Sequence, residues 1–279
     1  ENEYKMVQKN ILVSILINNY NNEKYLKKSI TSCLKQTYNN LEIIVYDDRS
    51  TDSSKKILNK IRHKKIKKIF NLRKNYQSSA LNQFEAIRKS FKKAKGEIIF
   101  LLDSDDYFLK NKVRKIVNEF EKNRDINFIQ DNPIYFYPKR KLNLKKKIKN
   151  KYFTLHTWPY FNPTSTMVFR KNLLKKIIKE ISFSKNNFGK MFFDARAFIY
   201  IYFFEKNYLN LDKYLTIYTQ NTKGDTLSNY ETKNFSWWKR RFEAHDYGRG
   251  RRERARPPIY DRARAPGKNH LLGHFRAQC

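Results

Sequence analysis

Gly96-Glu-Ile-Ile-Phe-Leu-Leu-Asp-Ser-Asp-Asp-Tyr107 decides how this chain is read. Five consecutive apolar residues, Ile98 to Leu102, run directly into Asp103, Asp105 and Asp106. A short apolar run bounded by a turn signal reads as a buried strand. Carboxylates packed at its carboxyl end repel one another unless a cation sits among them. Hard oxygen donors suit Mg²⁺ or Mn²⁺, which commonly share their coordination with phosphate oxygens. Ligands of open α/β sheets bind beyond the carboxyl ends of the strands. The pattern points to a metal-bridged diphosphate site. The same residues also suit a plainer role, with Asp105 or Asp106 capping the helix that follows, because Asp is a favoured N-cap residue.

Two upstream stretches repeat the arrangement. Leu41-Glu-Ile-Ile-Val-Tyr-Asp-Asp-Arg-Ser-Thr-Asp-Ser-Ser54 is a β-rich run ending in Asp47 and Asp48, followed by the helix-capping types Ser50, Thr51 and Asp52. Ile11-Leu-Val-Ser-Ile-Leu-Ile-Asn-Asn-Tyr-Asn21 is a strand that ends in Asn and Tyr. Three strands that place polar residues at the same end are what a ligand site on a parallel sheet requires.

Periodicity extends the order along the chain: strand 11–17, helix 23–36, strand 41–46, helix 52–62, strand 66–70, helix 78–93, strand 97–102, helix 110–122 and strand 126–131. This alternation predicts a Rossmann-like, doubly wound, mainly parallel α/β sheet. A basic run over 138–151 follows, then strand 165–169, helix 171–179 and a helix over 193–204. Asp194 falls in the first turn of that last helix, where the helix dipole favours the ionised form.

Composition bounds the function. The 279 residues suit one large α/β domain with an extension. No apolar run approaches the roughly 18 residues of a membrane span. The polar N-terminus shows no signal peptide, and two cysteines, Cys33 and Cys279, give no disulfide framework. A reducing cytoplasm is the expected compartment, with Cys33 a core thiol. The formal net charge of +34 suits nucleic acid, an anionic membrane at the inner face, or simply lysines on solvated faces. The lysines are dispersed, and the acidic strand ends would repel nucleic-acid phosphate without a metal, so a nucleic-acid partner is not expected. A nucleotidyltransferase, which also uses carboxylates and Mg²⁺, would show a Gly-rich phosphate loop, and residues 1–247 hold only three glycines.

Composition shifts near residue 247. Residues 1–247 carry 40 Lys and 11 Arg, whereas residues 248–279 carry 1 Lys and 8 Arg with four of the seven glycines. The sequence therefore reads as one domain over 1–247 and a weakly held or non-native tail over 248–279. Phe235-Ser-Trp-Trp-Lys-Arg-Arg-Phe242 pairs Trp237 and Trp238 with cations, as at a membrane interface or in a helix that plugs the core. His63, His156 and His245 lack metal-ligand spacing.

The ordered set of motifs resembles the family 2 glycosyltransferases over residues 10 to 205. The strand Val13-Ser-Ile-Leu-Ile, then Asn19-Tyr-Asn, Tyr25-Leu, Ser29-Ile-Thr-Ser-Cys-Leu-Lys-Gln-Thr-Tyr38, Glu42-Ile-Ile-Val-Tyr-Asp-Asp-Arg-Ser-Thr-Asp-Ser53, Asn82 and the acidic stretch follow the family's order and spacing. The resemblance implies a GT-A fold, with a nucleotide-binding half over about 10–131 and an acceptor half over about 132–247. It implies inverting transfer of a sugar from a nucleotide diphosphate, UDP favoured, with Mn²⁺ or Mg²⁺. The acceptor it implies is a saccharide or lipid-linked saccharide of the capsule, lipopolysaccharide or glycan-precursor kind. By the same resemblance Tyr20 stacks on the base, Asp48 accepts the base N–H, and Asp103 contacts the ribose. Asp105 and Asp106 hold the metal, and Asp194, within Phe192-Phe-Asp-Ala-Arg-Ala-Phe198, is the general base. Two departures stand out: Arg49, where the family commonly has Gly or Asn, and Asn18-Asn19, where many members carry Pro or Thr.

Overall fold

A computed structural model of the chain describes residues 10–72, 78–145, 162–184, 187–205, 207–220, 243–244 and 246–251. Trp237, Trp238, His156, His245, Cys279, most of the basic run and residues 252–279 lie outside them.

The first half alternates as the sequence predicts. Strands β1 (Val13–Asn19), β2 (Leu41–Asp47), β3 (Ile66–Phe70) and β4 (Ile98–Asp103) are linked by helices α1 (Glu23–Leu34), α2 (Ser54–Lys60) and α3 (Ser79–Phe91). All four strands are parallel, in the order β3-β2-β1-β4. Every residue of β2 is buried, as expected of a parallel strand covered by helices on both faces. The register sets Asn19 beside Asp47 and Asn18 beside Asp103, so the polar strand ends share one edge.

The other edge is held by close packing. A Cβ on Gly96 would lie 2.5 Å from the backbone nitrogen of Ser14, so only glycine fits there. The Gly96 N–H donates to Ser14 Oγ at 2.8 Å, and that hydroxyl donates to Glu42 Oε1 at 2.7 Å.

Beyond β4 the sheet becomes mixed. The order continues β8 (Met167–Arg170), β6 (Phe128–Tyr137), β9 (Tyr208–Thr219) and β5 (Tyr107–Phe108), with β7 (Leu142–Lys145) pairing β6. β8 is antiparallel to both β4 and β6, while β6 and β9 are parallel. Sequence reasoning gives β6 as 126–131, the fifth strand in its order, and finds no strand over 208–219. β6 instead runs through Pro133, which is accommodated where the register with β9 shifts at Asp131, Asn132 and Pro133. β9 buries Leu211, Leu215, Thr216, Ile217 and Thr219, with Asp212 and Lys213 exposed between, so its burial does not follow strict alternation.

Helices α4 (Lys112–Lys122), α5 (Lys171–Ser184) and α6 (Phe193–Phe204) complete the layers. One core, with Ile15, Ile17, Phe100 and Leu102, meets Leu26 and Ile30 of α1 and Val113 and Ile116 of α4. A second, with Leu16, Ile99 and Leu101, meets Phe84 of α3, Leu174 of α5 and Phe193 of α6. Cys33 is buried in the first core, where desolvation pushes its thiol up to about 12, as a core thiol should be.

The compositional break at 247/248 falls inside a helical segment. Residues 246–251 are helical, and Tyr247 packs edge-on against Phe188 at 5.1 Å. Arg251 is buried, ion-paired to Glu180 and 3.0 Å from Tyr247 Oη. Helical structure thus continues to Arg251, past the boundary the composition suggests, and Arg251 is packed while Arg249 is exposed.

Candidate active site

The loops after β1 and β2 are stapled together by side chains that compete for backbone partners. Asn19 Nδ2 donates to Asp47 Oδ1 at 2.7 Å and to Ser50 Oγ at 3.1 Å, and Ser50 Oγ donates to Asp47 Oδ1 at 2.6 Å. Asn21, in the left-handed region at φ 51, accepts from the Thr51 N–H at 2.7 Å. Asp52 accepts from the Glu23 N–H at 2.9 Å, joining the start of α1 to the second loop. On this frame Tyr20 is 54% exposed, which leaves its ring open to a stacking partner. Arg49 has φ 58, the left-handed conformation that glycine and asparagine tolerate best.

Asp48 is buried behind that loop. It accepts from Asn71 Nδ2 at 2.7 Å. Burial raises its carboxyl above the usual range, offset in part by Asn71 and the Lys89 charge. Lys89 itself donates to Tyr46 Oη at 2.9 Å and Asn71 Oδ1 at 3.2 Å.

The acidic stretch divides by environment. Asp103 ends β4 and faces Gln83 of α3, whose Nε2 lies 3.3 Å and 3.4 Å from its two oxygens. Burial, with the Asp105 charge next, pushes the Asp103 carboxyl up to about 7. Asp105 is half-buried in the turn. Asp106 is 1% exposed, with Oδ2 accepting from Ser165 Oγ at 2.5 Å and Oδ1 from the Thr219 N–H at 2.8 Å. Burial and the neighbouring Asp105 and Asp103 raise it well above the usual carboxylate range. Such crowding, with the Asp105 charge raising both Asp103 and Asp106, is the donor chemistry a hard divalent cation relieves.

Under Asp106 lies a buried charge pair that sequence reasoning missed. Lys112 Nζ donates to Asp131 Oδ1 at 2.7 Å, to the Ser165 carbonyl at 2.9 Å and to Thr216 Oγ1 at 2.5 Å. Both side chains of the pair are fully buried. Lys112 also sits 4.2 Å from the Phe108 ring centroid. Lys112 was legible only as one of many lysines. The signal available was its position directly before Val113, the first residue of the buried stripe Val113, Ile116, Val117 and Phe120.

Asp194 arrives from a separate region. Its turn is held by Arg196, which donates through Nε to the Met191 carbonyl at 2.9 Å. Gln83 joins the two halves: its Oε1 accepts from the Phe193 N–H at 3.2 Å while its amide faces Asp103. Asp194 Oδ1 accepts from the Ala195 N–H at 2.7 Å. The helix N-terminus does not hold this carboxyl low, as the sequence suggests. Burial outweighs the backbone bonds and pushes it up to about 6. Tyr218 feels the charges of Asp106, Asp105, Asp194 and Asp103 together, so the four carboxylates share one neighbourhood. At the end of β1, the buried Asn18 Oδ1 and Asn19 Oδ1 find no hydrogen-bond donor among the described residues.

Similar proteins agree with this architecture. Glycosyltransferase alr2836 of Nostoc sp. is 30% identical over 180 residues, 59% of this chain and 52% of that protein. The Escherichia coli UDP-Glc:alpha-D-GlcNAc-diphosphoundecaprenol beta-1,3-glucosyltransferase WfaP is 37% identical over 125 residues, 45% of this chain and 44% of that protein. The chain spans about half the length of these curated relatives. Staphylococcus aureus TarS (residues 1–349), solved with UDP-GlcNAc, superposes with a TM-score of 0.57 at 21% identity over 78% of this chain and 61% of that one. The mannosyltransferase PcManGT of Pyrobaculum calidifontis, solved with GDP-Man and Mn²⁺, gives 0.56 at 10% identity over 88% and 73%. Both share the GT-A fold. No helix among the described residues is long and apolar enough to cross a membrane. The model of the family described as Glycosyl transferase family 2 matches residues 14–178, more than half of the sequence, and the chain belongs to that family of glycosyltransferase enzymes.

Proposed function

We propose that this chain is an inverting glycosyltransferase that moves one sugar from a UDP-sugar to a hydroxyl of a saccharide carried on a lipid, with Mn²⁺ or Mg²⁺ at the donor. The observation that carries the reading is the convergence of Asp194 on the acidic turn from some ninety residues away in sequence, across the Gln83 bridge. The activity of the relative WfaP, which moves glucose from UDP-Glc to GlcNAc-diphosphoundecaprenol, favours a UDP donor and a diphosphoundecaprenol-linked acceptor.

In this reading Tyr20 stacks on the base, Asp48 accepts a base N–H, and Asp103 contacts the ribose. Asp105 and Asp106 are the acidic pair at the metal. Asp105 would be its direct ligand, and Asp106, bonded to Ser165 and Thr219, fixes the turn beneath. A divalent cation bound there supplies positive charge to the diphosphate leaving group. Asp194 takes the proton from the acceptor hydroxyl as that oxygen attacks the anomeric carbon. The bond to the diphosphate breaks on the opposite face, and its electron pair leaves with the nucleotide. A carboxyl near 6 is ionised at neutral pH yet more basic than an exposed one, which suits a general base.

The test is thermal stabilisation by UDP with Mn²⁺, repeated with a chelator, and then a panel of nucleotide sugars scored for metal-dependent hydrolysis. Stabilisation that needs the metal supports the reading. Equal stabilisation with chelator removes the metal bridge, and no binding of any nucleoside diphosphate removes the donor site.

A further inference from the structure

We propose that the outer face of α1, with the loop after β5, is a docking surface for an anionic phospholipid membrane. An open groove of about 1040 Å³ runs there, lined by Lys24, Lys27, Lys28, Lys35, Lys110 and Tyr107 among others, with no carboxylate lining it among the described residues. All five lysines are exposed. Four of them follow the helical period along α1 and its C-cap, while Leu26, Ser29, Ile30 and Cys33 on the opposite side are buried. The helix cannot turn this face inward without exposing that core. From Lys24 to Lys35 the strip is about 16 Å long.

The groove lies across the sheet from the Asp103–Asp194 cluster. α1 packs on the core of Ile15, Ile17 and Leu102, whereas Gln83 and Asp194 belong to helices on the other core. It still borders the site, because Asn22 Nδ2, at the start of α1, donates to Ser104 Oγ at 2.9 Å. A membrane held along α1 therefore leaves the donor side open.

Charge and chemistry choose the occupant. Lysine ammonium groups are compact, hydrated point charges without the fork geometry that grips one phosphate, and they suit a diffuse layer of headgroups. Tyr107 would be the natural platform for a nucleobase, but the Lys28 ammonium sits 3.6 Å from its ring centroid and takes one face. The link to a lipid-carried acceptor rests on the proposed function; the charge argument does not.

The experiment is co-sedimentation with vesicles of phosphatidylcholine alone or mixed with phosphatidylglycerol, without any sugar substrate, so its failure leaves the donor reading untouched. The protein should pellet only with the anionic vesicles and be released by high salt. The triple variant Lys24→Gln, Lys27→Gln, Lys35→Gln should lose about tenfold or more in apparent affinity. The triple Lys64→Gln, Lys92→Gln, Lys93→Gln removes the same charge at the edge where the strands begin and should change it by less than about twofold. Both variants should melt like the parent. Equal losses in the two triples, or no anionic binding by the parent, overturns the proposal. So does loss of single-stranded RNA binding in the first triple while vesicle binding persists.

Discussion

The parallel half of the sheet and the mixed half bring residues to the same site by different physics. At the ends of β1 and β2, short loops are tied by Asn, Ser and Asp side chains bonding to one another and to neighbouring backbone, from the buried Asn19–Asp47 bond out to the exposed Asn21–Thr51 bond. At β6, β8 and β9, the support is a fully buried ion pair joining four segments through Lys112 and Asp131. Loss of one surface loop bond costs about 1 kcal/mol, whereas orphaning a buried charge costs several. The parallel half should thus tolerate substitution locally, and the mixed half should fail as a unit.

The sharpest break in that comparison is Asp194. Asp194→Asn should lower transfer by about 10²–10⁴-fold while UDP affinity is kept. In the parent, transfer should rise as pH increases through about 6. Stability should move the other way. The folded carboxyl titrates near 6, above the roughly 4 of an unfolded chain. Its stabilising share is therefore complete below pH about 4 and lost as pH rises through about 6. The permanently neutral Asn variant should melt no lower than the parent at pH above 6, with any advantage gone near pH 4. A lower melting temperature at neutral pH would mean the carboxylate serves the helix instead of the chemistry.

Next in size is Lys112. Lys112→Met leaves Asp131 buried and unpaired, which should cost about 3–5 kcal/mol by denaturant unfolding. Adding Asp131→Asn should recover a large part of that loss, because the amide needs no counter-charge. If the single variant costs under about 1 kcal/mol, the two halves are supported alike and the contrast fails.

The same contrast governs what could be read in advance. The first half was legible because its polar residues sit directly at the ends of apolar runs, one local pattern carrying both strand and site. Tyr20, Asp48 and Asp103 all come from such ends. In the mixed half the partners are distant: Asp106 meets Ser165 and Thr219, and Gln83 meets Phe193. No local pattern encodes those meetings. β9 is not legible from alternation, because the exposed Lys213 interrupts the apolar series Leu209, Leu211, Leu215 and Ile217 where the pairing with β6 shifts register. The raised Asp194 carboxyl was also out of reach, because burial there depends on tertiary packing and not on position in the helix.

A smaller effect tests where the mixed half ends. Truncation after Arg251 should leave the melting temperature nearly unchanged. Truncation after Tyr247 removes the buried Arg251–Glu180 pair and should cost about 1.5–3 kcal/mol. Equal melting of the two truncations would return the boundary to the compositional break.

The smallest expected effect lies in the parallel half, at Arg49. Its φ of 58 puts a bulky side chain in the left-handed region, which costs about 1–2 kcal/mol relative to glycine. Arg49→Gly relieves that cost but adds freedom to the unfolded chain worth about 0.4–1 kcal/mol. The net should be a gain of about 0.5 kcal/mol, read as a rise in denaturant midpoint. Strain kept at a binding loop calls for a functional return, and the Arg49 charge already steadies the ionised form of Asp48. UDP affinity should therefore fall in Arg49→Gly as stability rises. Arg49→Asn, which tolerates the same backbone, should weaken UDP to a similar degree because it too lacks the charge. If both variants bind UDP as the parent does, the guanidinium has no part in the donor site, and the strain at this loop has no return there.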